Sequence, residues 1–291
     1  MYAFTLDRPS ALDAAVAAAV GGGQILAGGQ TLLPSMKMRL SQPGHLVDLG
    51  GVKELVGVER SGDALVIGAM TRHMDVANST VVKSMIPALA DLAGHIGDRQ
   101  VRTMGTIGGS VANNDPAACY PSAVLGLGAT VHTNKRRIAA DDFFLGMFTT
   151  ALEPGEIITA ISFPQAKKAA YMKFVQSASR FALVGVFLAQ TASGVRVAVT
   201  GAGAGVFRHK GLEDALNKSF TVASAAAVHI DASELNADIH ASAVYRANLI
   251  SVRALHPGRR PGAGCAAGHT CGPAGCAGSR PGRRASGWPG R

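Results

Sequence analysis

Residues 104–110 read Met-Gly-Thr-Ile-Gly-Gly-Ser and continue as Val-Ala-Asn-Asn-Asp-Pro. Two adjacent glycines leave the main chain without Cβ atoms, so its N–H groups can closely approach a large anionic ligand. Thr106 and Ser110 add hydroxyl groups beside the pair, and Asn113 and Asp115 add polar side chains that reach further along such a ligand. One glycine pair is weak evidence by itself, because glycine pairs also form ordinary turns.

A second copy of this pattern lies upstream, where residues 24–31 read Gln-Ile-Leu-Ala-Gly-Gly-Gln-Thr. Each copy has a short apolar run, then Gly-Gly, then a polar side chain. We call residues 27–32 the first glycine loop and residues 104–110 the second glycine loop. Two such loops from distant parts of one chain can hold a diphosphate between them. The sequence therefore predicts a diphosphate site that both loops build.

The composition of the 291-residue chain is typical of a globular protein, since 47% of its residues are hydrophobic. No apolar run approaches the roughly 20 residues that a membrane-spanning helix needs. The first residues lack the basic and then apolar pattern of a signal peptide. Cys119 is the one cysteine that lies before residue 255, which indicates a reducing compartment. We therefore expect a soluble, cytoplasmic protein without a transmembrane segment.

The net charge of +9 belongs mostly to residues 255–291, which we call the basic tail. The basic tail contains six arginines and no lysine, aspartate or glutamate, so the rest of the chain has 22 basic and 19 acidic residues. Its glycine, proline, arginine, alanine and cysteine residues follow no period, and such a composition cannot form a core. We predict that it is disordered. A natural tail or a GC-rich gene read in the wrong frame gives this composition, and we favour the frame shift.

Three sub-domains are predicted before the basic tail. Residues 1–53 have the pattern of a small β-α-β unit that includes the first glycine loop. Residues 54–166 contain strands, turns and helices around the second loop. Residues 167–254 contain three strand candidates followed by helices. We expect the basic tail to replace the closing helix of this last sub-domain, which would leave apolar surface near Val199 and Leu216 uncovered.

The common catalytic signatures are missing from the sequence, which contains no G-x-x-x-x-G-K-[ST], H-E-x-x-H or G-x-S-x-G motif. Residues 201–206 approach a dinucleotide-binding fingerprint, but Val206 stands in place of its final glycine. Single histidines such as His95 and His132 are interpreted as core or surface residues. We predict no catalytic acid, base or nucleophile and no metal site. This profile is typical of a protein that holds a cofactor which does its own chemistry.

The two glycine loops resemble the two FAD loops of one family, the flavin-binding medium subunit of molybdenum hydroxylases. This is the carbon monoxide dehydrogenase medium-chain and xanthine dehydrogenase FAD-domain family. The resemblance is carried by residues 27–39 and 106–121, and it covers about residues 1–250 in order. The segments that also fall where the family has them are residues 66–71, 155–158, 173–174 and 181–184.

The resemblance implies an α+β fold of the vanillyl-alcohol-oxidase (PCMH) type. Non-covalent FAD would lie between the first two sub-domains, beside a C-terminal α+β sub-domain of the carbon monoxide dehydrogenase flavoprotein type. Both glycine loops would contact the FAD diphosphate. The cofactor-binding residues that it implies are Ala27, Gly28, Gly29, Gln30, Thr31, Leu32, Thr106, Ile107, Gly108, Gly109, Ser110, Asn113, Asp115, Ile158, Lys173 and Phe181.

Four positions carry more specific expectations from the resemblance. Ile158 would lie against the flavin, and Lys173 would approach it from the third sub-domain. Phe181 takes the position where many relatives have a tyrosine, so stacking is retained and a hydroxyl contact is lost. Cys119 stands where relatives usually have an Asp or Glu able to bind the cofactor.

The family implies partner chains as well. A large subunit would carry molybdopterin and a small subunit two [2Fe–2S] clusters, expected as a dimer of heterotrimers with this chain. Carbon monoxide, an N-heterocycle or an aldehyde would be oxidised at molybdenum, and electrons would pass through the clusters and FAD to an external acceptor. The alternatives are a stand-alone FAD-dependent reductase of the same fold, a fold that has lost FAD, and a nucleic-acid-binding protein acting through the basic tail. A nearly neutral body and only 5% aromatic residues argue against nucleic acid.

Overall fold

The computed structural model describes residues 1–255, which form three consecutive parts, each built on one main sheet. The basic tail is predicted to be disordered. Its residues 256–291 lie outside the described range, so this stays a prediction. Within residues 1–255, no helix combines the length and apolarity that crossing a membrane requires.

The first part is a three-stranded parallel sheet in the order β1-β3-β2. Its elements are β1 (Thr5–Asp7), α1 (Leu12–Val20), β2 (Gln24–Leu26), α2 (Leu32–Lys37) and β3 (His45–Asp48). Parallel strands need crossover connections, and α1 connects β1 to β2 in this way. The first glycine loop begins directly after β2 and ends where α2 begins, so its position is fixed by both elements.

The second part is a five-stranded antiparallel sheet in the order β4-β5-β10-β6-β7, with helices and a small hairpin. Its strands are β4 (Val58–Ser61), β5 (Ala64–Gly68), β6 (Thr130–Thr133), β7 (Arg137–Ala139), the hairpin strands β8 (Phe144–Gly146) and β9 (Thr149–Thr150), and β10 (Ile158–Pro164). Its helices are α3 (His73–Asn78), α4 (Thr80–Met85), α5 (Pro87–Gly94), α6 (Arg99–Met104), α7 (Ile107–Asn113), α8 (Tyr120–Leu127) and α9 (Ala140–Phe143). Leu65 and Ile67 of β5 pair directly with Phe163 and Ile161 of β10, and all four are buried. These cross-strand pairs fix the register of the sheet on which the second glycine loop rests.

The third part is a four-stranded antiparallel sheet in the order β11-β12-β13-β14. Its elements are β11 (Lys168–Val175), β12 (Ala182–Thr191), β13 (Gly194–Thr200), β14 (Phe207–Arg208), α10 (Lys210–Lys218), α11 (Val222–Ala226) and α12 (Ala243–Leu255). Both faces of β12 are buried, since Val186 and Leu188 belong to the core of the third part while Phe187 and Ala189 pack into the core of the second. One strand therefore contributes to two cores.

The expectation that the closing helix is lost is wrong, because α12 continues to Leu255. Ala247, Ile250 and Ala254 recur at helical spacing and are buried in the core of the third part. Val199 and Leu216 are consequently buried rather than uncovered. The composition rich in glycine, proline and arginine begins only after α12.

The guanidinium of Arg246 anchors α12 to the sheet. Its Nη1 atom donates hydrogen bonds to the carbonyl oxygens of Leu183 and Gly201 at 2.7 and 2.8 Å. Its Nη2 atom lies 2.7 Å from a carboxylate oxygen of Asp238. Because Arg246 is buried, these partners are needed to compensate for the removal of its charge from water.

A buried carboxylate, Glu156, ties the turn before β10 to the loop after β6. It accepts hydrogen bonds from the Nε atom of Arg136 at 3.1 Å, the hydroxyl of Thr133 at 2.7 Å and the amide of Glu153 at 2.8 Å. Burial opposes the ionisation of this carboxyl, but the donors outweigh burial and lower the pKa of Glu156 to about 2.

Replacing Glu156 by Gln should lower the free energy of unfolding by about 1–3 kcal/mol at pH 7, because Arg136 then loses its charged acceptor. The folded-state pKa lies below the ordinary value of 4.5, so the carboxylate stabilises the fold above that pH. Its contribution is lost as the pH falls from about 4.5 towards 2, so urea unfolding should show a smaller difference between wild type and variant at about pH 3. The exposed Glu59→Gln variant is the control; an equal difference at both pH values would contradict this account.

Candidate cofactor-binding cleft

The two glycine loops are in direct contact. A Cβ atom added to Gly28 would overlap the carbonyl oxygen of Met104 and lie 2.7 Å from the Cα atom of Gly105. A Cβ atom added to Gly109 would lie 3.2 Å from the Cβ atom of Ala27. Glycine is needed at Gly28 because two backbones approach each other there without room for a side chain. The predicted convergence of the loops is therefore confirmed.

A cleft of about 860 Å³ opens beside this contact. Its volume falls within the range of about 300–1,000 Å³ that is typical of cofactor and small-molecule sites. All three parts of the chain contribute to its walls. Of the sixteen residues that the resemblance implies, those that line the cleft are Ala27, Gly28, Gly29, Gln30, Thr31, Leu32, Thr106, Gly109, Ser110, Asn113, Asp115, Lys173 and Phe181.

The other three residues, Ile107, Gly108 and Ile158, are not part of the cleft lining. Ile107 and Ile158 are buried in the core of the second part, and Ile158 also pairs with Thr133 in the sheet. A Cβ atom on Gly108 would lie 2.6 Å from the Cβ atom of Ala69, which follows β5. Gly108 thus allows close packing of α7 against the sheet, and Ile107 completes the core beside it.

The backbone N–H groups of the second glycine loop already have partners inside the protein. Those of Ile107 and Gly108 donate to the carbonyl oxygens of Thr71 and Ala69, at 3.1 and 2.8 Å. That of Gly109 donates to the hydroxyl oxygen of Thr106 at 3.2 Å. These amides anchor α7 and are not available to a ligand. The second loop therefore offers the cleft its polar side chains rather than the amides of its glycine pair.

The first glycine loop is different. The N–H groups of residues 28–31 have no hydrogen-bond partner anywhere in residues 1–255. Gly29 has a φ of +71°, a conformation that L side chains rarely adopt, and the side-chain amide of Gln30 donates to the carbonyl of Gly28 at 2.9 Å. The loop therefore places a series of backbone donors without partners at the cleft, which fits an anionic group such as the diphosphate of FAD.

One wall of the cleft is formed by the third part of the chain. Lys173 of β11 is buried there, and its Nζ atom donates to the carbonyl oxygen of His95 at 2.9 Å. Phe181 lies just before β12 with 37% of its surface exposed, which leaves ring area for a flat ligand group. Cys119 also lines the cleft and is buried. One cationic side chain and one aromatic ring suit the flavin end of FAD.

His73 and Phe148 are two of the lining residues that the sequence interpretation missed. His73 begins α3 beside the second loop, and burial, with a smaller contribution from the charge of Arg102, lowers its pKa to about 4. Phe148 lies between β8 and β9 with a φ of +52°. The side-chain amide of Asn114 holds this hairpin by donating to the carbonyl oxygens of Gly146 and Thr149 at 2.7 and 2.9 Å. A lone histidine and a hairpin phenylalanine carry no motif by which sequence alone could find them.

Within the part of the chain that the structure describes, no three His, Cys, Asp or Glu side chains cluster as metal ligands would.

Residues 2–166 match the family model described as FAD binding domain in molybdopterin dehydrogenase. The chain belongs to this family. The nicotine 6-hydroxylase medium subunit of Paenarthrobacter nicotinovorans is 37% identical to it, over 78% of this chain and 85% of that protein. The carbon monoxide dehydrogenase medium chain of Hydrogenophaga pseudoflava is 35% identical, over 77% of this chain and 83% of that protein.

Solved structures show the same fold. Carbon monoxide dehydrogenase from Hydrogenophaga pseudoflava, lacking the Mo-pyranopterin moiety of its cofactor, matches with a TM-score of 0.80 and 32% identity, over 88% of this chain and 96% of that chain. Quinoline 2-oxidoreductase from Pseudomonas putida 86 matches with a TM-score of 0.80 and 28% identity, over 87% and 95%. The α+β FAD-binding fold and the family that the resemblance implied are thus confirmed. The chain is an FAD-binding subunit of the molybdenum hydroxylase family of oxidoreductases.

Replacing Gly28 by Ala should push the two glycine loops apart, because the new methyl group would overlap the backbone at Met104. Overpacking of this kind costs typically about 1–3 kcal/mol, so the midpoint of urea unfolding of the flavin-free protein should fall. Gly44→Ala is a matched control, since a Cβ atom there would meet nothing within 4 Å. Equal midpoints for both variants would show that the contact between the loops is unimportant.

Proposed function

We propose that this chain holds FAD in the cleft and passes electrons from [2Fe–2S] clusters of a partner subunit through FAD to an external acceptor. The observation that carries the proposal is the contact between the two glycine loops, with backbone donors of the first loop unpartnered beside a cofactor-sized cleft. FAD, when bound, supplies the redox chemistry, and the residues of the chain bind it, orient it and shield it from water.

Each wall of the cleft has its own role in this proposal. The N–H groups of residues 28–31 would donate hydrogen bonds to the diphosphate, and charge-assisted bonds of this kind are stronger than neutral ones. Thr106, Ser110 and Asn113 would bind the cofactor through side-chain atoms. Lys173 and Phe181 would lie at the flavin end. Ile158 is buried and does not line the cleft, so we propose that it supports the flavin end from the core behind the cleft.

Partners are proposed from the relatives and from the architecture. Several relatives are named medium subunits or medium chains. We propose a large subunit with molybdopterin and a small subunit with [2Fe–2S] clusters, assembled with this chain as a dimer of heterotrimers. The limits proposed for its sub-domains are residues 1–53, 54–166 and 167–254, and a cytoplasmic location is part of the same proposal.

The substrate is proposed to be chosen by the large subunit. Three relatives with 35–41% identity to this chain are named for nicotine, glyceraldehyde and carbon monoxide. Medium chains this similar serve enzymes with dissimilar substrates, so the cleft of this chain has no substrate to recognise. Carbon monoxide, an N-heterocycle or an aldehyde each fit the proposal.

The purified full-length chain should show the absorption spectrum of bound oxidised FAD, and the Gly109→Val variant should be colourless. A Cβ atom at Gly109 would lie 2.9 Å from the hydroxyl oxygen of Thr106, so a branched side chain must displace the loop that lines the cleft. Gly94→Val is the matched control, because a Cβ atom there meets nothing within 4 Å. The measurement is the ratio of flavin to protein absorbance; a Gly109→Val protein with full flavin content would refute the proposed site.

Electron transfer is tested separately, in the complex co-purified with its partner subunits. Electrons released when the large subunit oxidises its substrate should reduce, and thereby bleach, the flavin in wild type. A complex with the Gly109→Val chain should reduce its iron–sulfur centres and leave the external acceptor unreduced. Normal acceptor turnover without flavin would show that electrons leave by another route.

A further inference from the structure

His73 has an unusual position at the meeting point of the two glycine loops. It is only 4% exposed, and the part that remains accessible lines the cleft. Its backbone N–H donates to the carbonyl oxygen of Gly105 at 2.9 Å, which joins the start of α3 to the second loop. Its ring packs against the ring of Tyr120 at a centroid separation of 5.3 Å. The imidazole is therefore held in place from both sides.

Neither ring nitrogen of His73 has a hydrogen-bond partner among residues 1–255. Nδ1 is completely buried and unpartnered. Nε2 lies only 2.6 Å from the point where a Cβ atom of Gly105 would be, and Gly105 itself touches Gly28 of the first loop. Nε2 is thus placed where the loops converge. Because His73 lines the cleft and its Nε2 has no partner within the protein, a ligand in the cleft can supply the hydrogen bond that Nε2 lacks.

Burial decides which nitrogen carries the proton. The desolvated environment and the nearby charge of Arg102 lower the pKa of His73 to about 4, so the ring is neutral at physiological pH and has one N–H group. An N–H group buried without an acceptor is rare in proteins, whereas an acceptor without a donor is tolerated somewhat better. The proton therefore belongs on Nε2, and Nδ1 remains a bare acceptor. Nε2 becomes a donor at the junction of the loops.

The glycine pair of the second loop offers no free backbone amide at this place. The amides of Ile107, Gly108 and Gly109 all bond within the protein. An anion between the loops would find amide donors on the side of the first loop and few on the other side. The imidazole of His73 stands on that other side, next to Gly105.

We propose that His73 is a cofactor-binding residue whose Nε2–H group donates a hydrogen bond to a diphosphate oxygen of FAD. This inference rests on the proposed function, since it takes the diphosphate to lie between the loops. The resemblance implied that the second glycine pair contacts the diphosphate. This inference assigns the hydrogen-bond donor on that side to the side chain of His73. Nε2 lies beside Gly105 at the contact of the loops, where the proposed function places the diphosphate rather than the ring systems of FAD.

The test measures dissociation constants of the full-length, flavin-stripped protein for FAD, ADP and riboflavin. ADP carries the diphosphate, and riboflavin carries no phosphate. Loss of one hydrogen bond to a charged group corresponds to roughly 10- to 100-fold weaker binding. His73→Leu should weaken FAD and ADP by this factor and leave riboflavin unchanged. His132→Leu, which changes a histidine outside the cleft lining, should leave all three constants unchanged.

Two isosteric variants separate the ring nitrogens and remain informative if His73→Leu folds poorly. The amide nitrogen of Gln approximates Nε2, and that of Asn approximates Nδ1. His73→Gln should retain most of the affinity for ADP, whereas His73→Asn should lose it. The reverse order would overturn the inference, and so would equal losses for ADP and riboflavin, which would indicate a packing role.

Binding by the wild-type protein distinguishes a failure of the role of His73 from a failure of the proposed function. If wild type binds FAD and ADP and His73→Leu binds them equally well, only the role of His73 is refuted. If wild type binds neither, the proposed function is refuted and this inference falls with it.

Discussion

The contact of Gly28 with the backbone at Met104 and Gly105 is the constraint on which the site depends. It brings the end of β2 against the segment that precedes α7, so two parts of the chain with separate sheets share one boundary. Neither loop can move away without opening the cleft that lies beside them. Side chains would hold the backbones further apart, and only residues without Cβ atoms permit this distance.

The two loops resemble each other in sequence but differ in what they do. The amides of the second loop anchor α7 to Ala69 and Thr71, so that loop is a rigid support. The amides of the first loop stay available beside the cleft. The third part completes the arrangement, because the hydroxyl of Thr200 donates to the carbonyl oxygens of Pro116 and Ala118 at 2.8 and 2.7 Å. This contact secures residues 116–118, which follow α7 and belong to the segment that lines the cleft beside the third part.

Sequence alone revealed the fold family and the part of the cleft lining that the glycine loops form, because paired glycines after apolar runs can be recognised in the sequence. It could not reveal that the amide of Gly108 bonds to Ala69, since that partner comes from a distant strand. The position of His73 was hidden for the same reason: its burial depends on Tyr120, far along the chain. The closing helix was misjudged because the compositional change that follows it drew attention away from the helical spacing of Ala247, Ile250 and Ala254.

The anchoring of α12 by Arg246 has a consequence for the order in which the protein is made. The carbonyl groups of Leu183 and Gly201 lie near the start of β12 and the end of β13, and they gain this partner only when residue 246 has left the ribosome. Domains generally fold in the order of their synthesis, so the first part is free to assemble early, whereas the core of the second part still needs Phe187 and Ala189 of β12. The wall that carries Phe181 is therefore among the last parts of the cleft to be completed.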